Sequence, residues 1–156
     1  MEQSQVALRT ARMIAAAMPA GVVLFWAIGW FLTNGGETGL SPRAFSPGAA
    51  LYIWAAAALA GVAGSLAFRG RALRAIEGDA ARPPSPATLG QVQGSLVIAW
   101  ALVEAPALLA GVFFLLLGTK PLLLGAAAVY LLGLARTFPR AEWFGAGDAG
   151  AERHHG

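Results

Sequence analysis

The sequence predicts an all-α membrane protein of four transmembrane helices. Hydrophobic residues make up 57% of the 156-residue chain and charged residues 12%, against roughly 25% charged in a soluble domain. The apolar residues come in unbroken blocks rather than alternating with polar ones at helix or strand spacing. The charges fall almost entirely between those blocks. The length suits a single four-span membrane domain, residues 1–156.

The first apolar block, 11–33, ends in an aromatic group of Phe25, Trp26, Trp30 and Phe31. It is longer than the apolar core of a cleaved signal peptide, and Trp26 and Trp30 suit an interfacial anchor, so the segment is expected to be retained. The second block, 49–68, is alanine-rich, and the third spans 95–118. Each reaches the roughly 20 residues needed to cross the hydrocarbon. The fourth, 121–135, is short. It is expected to rely on snorkelling of Lys120 and Arg136, local thinning, or helix continuing through Phe138.

Arg9, Arg12, Arg69, Arg71, Arg74, Arg82, Arg136, Arg140 and Arg153 lie in the N-terminal segment, the 69–94 connection or the C-terminal tail; Arg43 and Lys120 alone lie in the other two connections. The positive-inside rule therefore predicts cytoplasmic N- and C-termini and a cytoplasmic 69–94 loop. Helix is expected to run past the second block to about Glu77 and break at Gly78 and at Pro83–Pro84. In that loop Arg69, Arg71, Arg74 and Arg82 either fix topology or touch anionic headgroups or an acidic partner. The tail, 142–156, is Gly- and Ala-rich and is expected to be flexible.

Composition narrows the chemistry. A net charge of +3, confined to loops, does not point to nucleic acid. There is no cysteine, and His154 and His155 stand alone in the tail, so no metal site or cofactor is expected. No acid pair, histidine cluster or serine–histidine arrangement lies on the apolar segments, so an enzyme is not expected.

The first and third blocks repeat. Setting Met13 over Val97 pairs Ile14 with Ile98, Ala15 with Ala99, Ala17 with Ala101, Leu24 with Leu108 and Leu32 with Leu116. The repeat predicts two tandem helical hairpins related by an axis along the membrane normal. It places Glu104 opposite Ala20, so only one half carries a carboxyl.

Glu104 is the one acid inside an apolar block. Ionised near the bilayer midplane it costs on the order of 3 kcal/mol, so a neutral, protonated side chain is expected. Ala101, Ala107 and Gly111 share its helical face, and such small residues admit a neighbouring backbone. Pro106 removes the helical partner of the Leu102 carbonyl. Two readings follow. Glu104 either donates to a freed carbonyl as an interhelical clamp worth about 1 kcal/mol, or it loads and unloads a proton. No Ser, Thr or Gln surrounds it to complete a sodium site.

Residues 49–118, with "AALAGVAGSLAFRGRALRAIEGDAARPP" followed by "GSLVIAWALVEAPALLAGVFFLLLG", resemble the helical hairpin of the rotor-ring proteolipid, the c subunit of rotary ATP synthases and vacuolar-type ATPases. The small residues Ala57, Gly61 and Gly64 match its first helix, Arg82 and Pro83 its loop, and Ala101–Leu102–Val103–Glu104–Ala105 its acidic motif. The resemblance implies that Glu104 is a proton-binding carboxyl. The first and fourth blocks have no counterpart in a two-helix proteolipid. The expected function is thus a small, proteolipid-like membrane subunit. The alternative is a non-catalytic accessory subunit in which Glu104 is the clamp. Its expected partners are the lipid bilayer and either other membrane subunits or further copies of itself.

Overall fold

A computed structural model describes residues 2–34, 39–40, 46–78 and 85–144. They form four helices, α1 (Glu2–Leu32), α2 (Pro47–Gly78), α3 (Pro86–Leu117) and α4 (Lys120–Thr137), and a closing 3-10 turn, Ala141–Phe144. α1, α2 and α3 are each long and apolar enough to cross a membrane, which makes this a multi-pass membrane protein; α4 is shorter, at 18 residues.

Local chemistry sets the helix ends. Ser46 starts α2 by accepting the Ala49 amide at 3.1 Å, with Pro47 at the first helical position. Ser85 starts α3 in the same way, accepting the Thr88 amide at 3.1 Å ahead of Pro86. Gly118 ends α3 in the left-handed region at φ 72°, and its amide bonds the Phe114 carbonyl at 2.8 Å. Only Gly118 and Thr119 then separate α3 from α4. α4 stops where Phe138 is extended, at φ −60° and ψ 134°, as a residue preceding proline prefers.

These ends correct two sequence boundaries. In the 69–94 segment α2 runs to Gly78, within a residue of the expected end at Glu77, whereas α3 begins at Pro86, nine residues before the apolar block and inside the stretch expected to be loop. Ala87, Leu89, Gln91 and Gln93 are good helix formers outside the membrane as well as in it, so loss of hydropathy before residue 95 did not mean loss of helix. Of the tail expected to be flexible from 142, Trp143 and Phe144 are packed, and 145–156 lie outside the described residues. Trp143 and Phe144 are 6% and 0% exposed, packed among Leu8, Ala72 and Trp100. Two aromatic side chains bury enough area to offset the cost of ordering one turn. Arg82, His154 and His155 lie outside the described residues.

α3 is the hub. It packs along α2, α4 and α1, whereas α2 and α4 touch only briefly. Half of the apolar window of α3 is buried, against 17% for α1 and for α2. α2 and α4 run antiparallel to α3: Ala50 clusters with Ala110 at one end, Ala72 with Val92 at the other, and the Trp100 indole donates to the Thr137 carbonyl at 3.1 Å. α1 runs parallel to α3, with Leu8 and Ala11 beside Leu89 and Val92. The first two helices therefore do not close on each other as a separate hairpin. Both lean on α3.

The alternation gathers Arg9, Arg12, Arg69, Arg71, Arg74, Arg136 and Arg140 at one end of the bundle. Lys120 marks the opposite end, 5.5 Å above the Trp30 ring, which stacks on Phe114 at 5.8 Å. There the Leu40 amide bonds the Leu115 carbonyl at 3.0 Å, strapping the α1–α2 connection across the end of α3.

Candidate functional site

α2 approaches α3 most closely at Gly61. A side chain there would collide with the Leu102 carbonyl oxygen, and the Pro106 ring lies against the same point. Proline at 106 has removed the helical donor to that carbonyl, so the bare oxygen is covered by the Gly61 backbone. On either side, two tryptophans serve the next carbonyls. The Trp54 indole on α2 donates to Pro106 at 3.1 Å, and the Trp26 indole on α1 donates to Ala107 at 3.0 Å. The turn of α3 around Pro106 is thus clasped from two helices. Trp26, read in the sequence as an interfacial anchor, instead turns inward to α3.

Glu104 stands one turn before Ala107, which is buried, and next to Val103, which is buried too. Glu104 itself is half-buried. Of the small residues expected to share its face, Ala107 and Gly111 are buried but Ala101 is exposed. The inward arc of α3 is narrower than helical spacing suggested. Gly111 lies beneath Phe25 and Trp26 of α1.

The expected bond from Glu104 to the freed Leu102 carbonyl is not formed. That oxygen faces α2, and among the described residues no hydrogen bond or ion pair reaches the Glu104 carboxyl. Across from it on α4, Tyr130 packs against Val103 and Ala107, which flank Glu104 on α3. Tyr130 is 4% exposed, in one buried cluster with Val22, Val103 and Ala107, and its hydroxyl oxygen is buried with no hydrogen-bond partner. α4 comes this close because Gly133, one turn on from Tyr130, sits against Val103; a Cβ there would lie 2.5 Å from Val103 Cγ1. A half-buried carboxyl and a buried hydroxyl, neither with a hydrogen-bond partner among the described residues, thus lie on the same packed stretch of α3 and α4.

The arginines read from the sequence form a separate region. Gly61 marks the level of Leu102, and Arg69 lies eight residues further along α2, about 12 Å nearer the arginine-rich end. Its guanidinium rests over the Trp143 ring at 5.8 Å. Arg71 covers Phe68 at 4.8 Å, and Arg74 Nε donates to the Gly70 carbonyl at 3.2 Å. The structure does not bring these side chains to Glu104.

Tyr130 and Trp54 are the site residues that sequence reasoning missed. Tyr130 is the single polar side chain inside the fourth apolar block, between Ala126–Ala128 and Leu131–Leu132. That was its only signal. Comparisons with protein-family models, curated proteins and solved structures give no match to this chain.

Proposed function

We propose that this chain is a small, proteolipid-like subunit of a membrane assembly in which Glu104 binds and releases a proton. The observation that carries the reading is a Glu104 carboxyl with no hydrogen-bond partner among the described residues, on the stretch of α3 that packs against the buried, equally unpartnered Tyr130. Protonated, Glu104 is neutral and suits its apolar surroundings. Ionised, it costs on the order of 3 kcal/mol at membrane depth. It then becomes an acceptor for Tyr130, and a hydrogen bond to a charged group returns about 1.5–3 kcal/mol. The two terms are of similar size. Such a balance suits a carboxyl that exchanges its proton rather than one locked in either state.

α4 completes the fourth crossing in this reading. Its 18 residues reach about 27 Å at 1.5 Å per residue, close to a hydrocarbon core of about 30 Å. Lys120 and Arg136 at its ends extend to the headgroups. The arginine-rich end then faces the cytoplasm by the positive-inside rule. The partners are other membrane subunits or further copies of this chain, set against the half-buried flank of Glu104. The clamp alternative needs a carbonyl bonded to Glu104, and none is bonded to it among the described residues.

Carbodiimide labelling tests the proposal, because the reagent modifies protonated carboxyls in apolar surroundings. The full chain in bilayers should be labelled at Glu104, with labelling falling as pH rises from mildly acidic to mildly alkaline. Glu104→Gln should abolish it. In Tyr130→Phe the ionised form loses its donor, so labelling should persist to more alkaline pH by about one unit or more. No labelling at Glu104, or labelling indifferent to pH, would sink the proposal.

A further inference from the structure

Toward the arginine-rich end, α2 and α4 leave between them a cleft of about 240 Å³. Val62 and Leu66 form one wall, Val129 and Leu132 the other, and Ser65, Gly133 and Thr137 also line it. Its two hydroxyls are turned away from any ligand. Ser65 Oγ donates to the Val62 carbonyl at 2.9 Å and Thr137 Oγ1 to the Gly133 carbonyl at 2.8 Å. The surface they leave is hydrocarbon. Arg136 lines the same cleft, exposed and with no ion-pair partner among the described residues. One turn beyond Ser65 on α2 stands a second cation, Arg69, whose Nε is buried without a hydrogen-bond partner.

We infer that this cleft holds an acyl chain of one anionic phospholipid, with Arg136 on the lipid phosphate. Size selects the hydrocarbon occupant. One turn of a helix 10–12 Å across fills roughly 500 Å³, about twice the space available, whereas the far narrower hydrocarbon chain can seat part of its length there and leave the rest in the bilayer. Charge selects the headgroup. Arginine presents a planar fork of donors that matches a phosphate, and the arginines gathered at this end, with no ion pair among the described residues, favour a net negative lipid. Position agrees with both, since the cleft is lined by two neighbouring helices, α2 and α4, and its cation lies at the end of α4, where a headgroup would sit.

The test uses the full chain in micelles, with native mass spectrometry after addition of phosphatidylglycerol or phosphatidylcholine. The wild type should retain one phosphatidylglycerol in preference to phosphatidylcholine. Arg136→Gln, at an exposed position, should lower that retention about fivefold. Val129→Phe, which fills the cleft without changing charge, should lower it comparably, and Arg9→Gln, elsewhere at the same end, should not. Equal retention of the two lipids would overturn the inference. So would equal losses in Arg136→Gln and Arg9→Gln, unchanged binding in Val129→Phe, or full competition by glycerol phosphate, which lacks the chain.

Discussion

Replacing Gly61 with alanine tests the closest helix approach in the site. The added Cβ would fall on the Leu102 carbonyl oxygen and 3.0 Å from Pro106 Cγ. The oxygen is backbone, fixed within α3, so it cannot rotate aside. A relaxed carbon–oxygen contact needs about 3.3 Å, and α2 must retreat by roughly an ångström. A gap of that size forfeits about a quarter to a half of each dispersion contact along the seam. The cost belongs at the top of the overpacking range, about 3 kcal/mol. Alanine returns up to about 1 kcal/mol through its higher helix propensity. The net loss is about 2 kcal/mol, or roughly thirtyfold in the folding equilibrium. Gly94→Ala is the control, since nothing lies within 4 Å of its Cβ, and it should be neutral or stabilising by up to about 1 kcal/mol. Reversible unfolding in mixed micelles, followed by tryptophan fluorescence, measures both. If Gly61→Ala is as stable as Gly94→Ala, the close approach, and with it the clasp around Pro106, is wrong.

Two other substitutions test the packing on either side of this seam. Trp54→Phe keeps the ring but loses the 3.1 Å bond to the Pro106 carbonyl, and the same unfolding assay should show a loss of about 1 kcal/mol. Trp143→Ala empties the cluster at the arginine-rich end and removes the ring under Arg69. It should cost about 3 kcal/mol and raise protease cleavage near the end of α4; unchanged proteolysis and stability would mean that the 3-10 turn does not close the bundle.

Hydropathy made the three long helices legible, because an unbroken apolar run of membrane length has few other solutions. The break at Gly78 was legible too, from glycine and the prolines that follow it. The start of α3 was hidden by Gln91, Gln93 and Ser95, which end the apolar block early, although Ser85–Pro86 carries the start signal that the helix uses. Glu104 was conspicuous as a charge in an apolar block. Its neighbours were not, because Tyr130 packs onto its stretch of α3 from α4 and the tryptophans reach the turn around Pro106 across sequence separations of 52 and 81 residues. Helical spacing on α3 alone could say which face Glu104 shared. It could not say which neighbour each part of that face would meet, and so it sent Glu104 to a carbonyl that Gly61 covers.

The hub position of α3 also dictates an order of events during synthesis. α1 and α2 emerge first, and neither has a surface on the other to settle against. They enter the bilayer tethered by their connection but with little helix surface shared between them. Only when α3 arrives do both gain a partner, and α4 follows after a two-residue connection. Assembly is therefore a late, concerted step rather than a stepwise build-up. A chain interrupted between α2 and α3 would leave two unassembled helices for quality-control proteases, while the α3–α4 fragment, supplied separately, would carry the template on which they could still assemble.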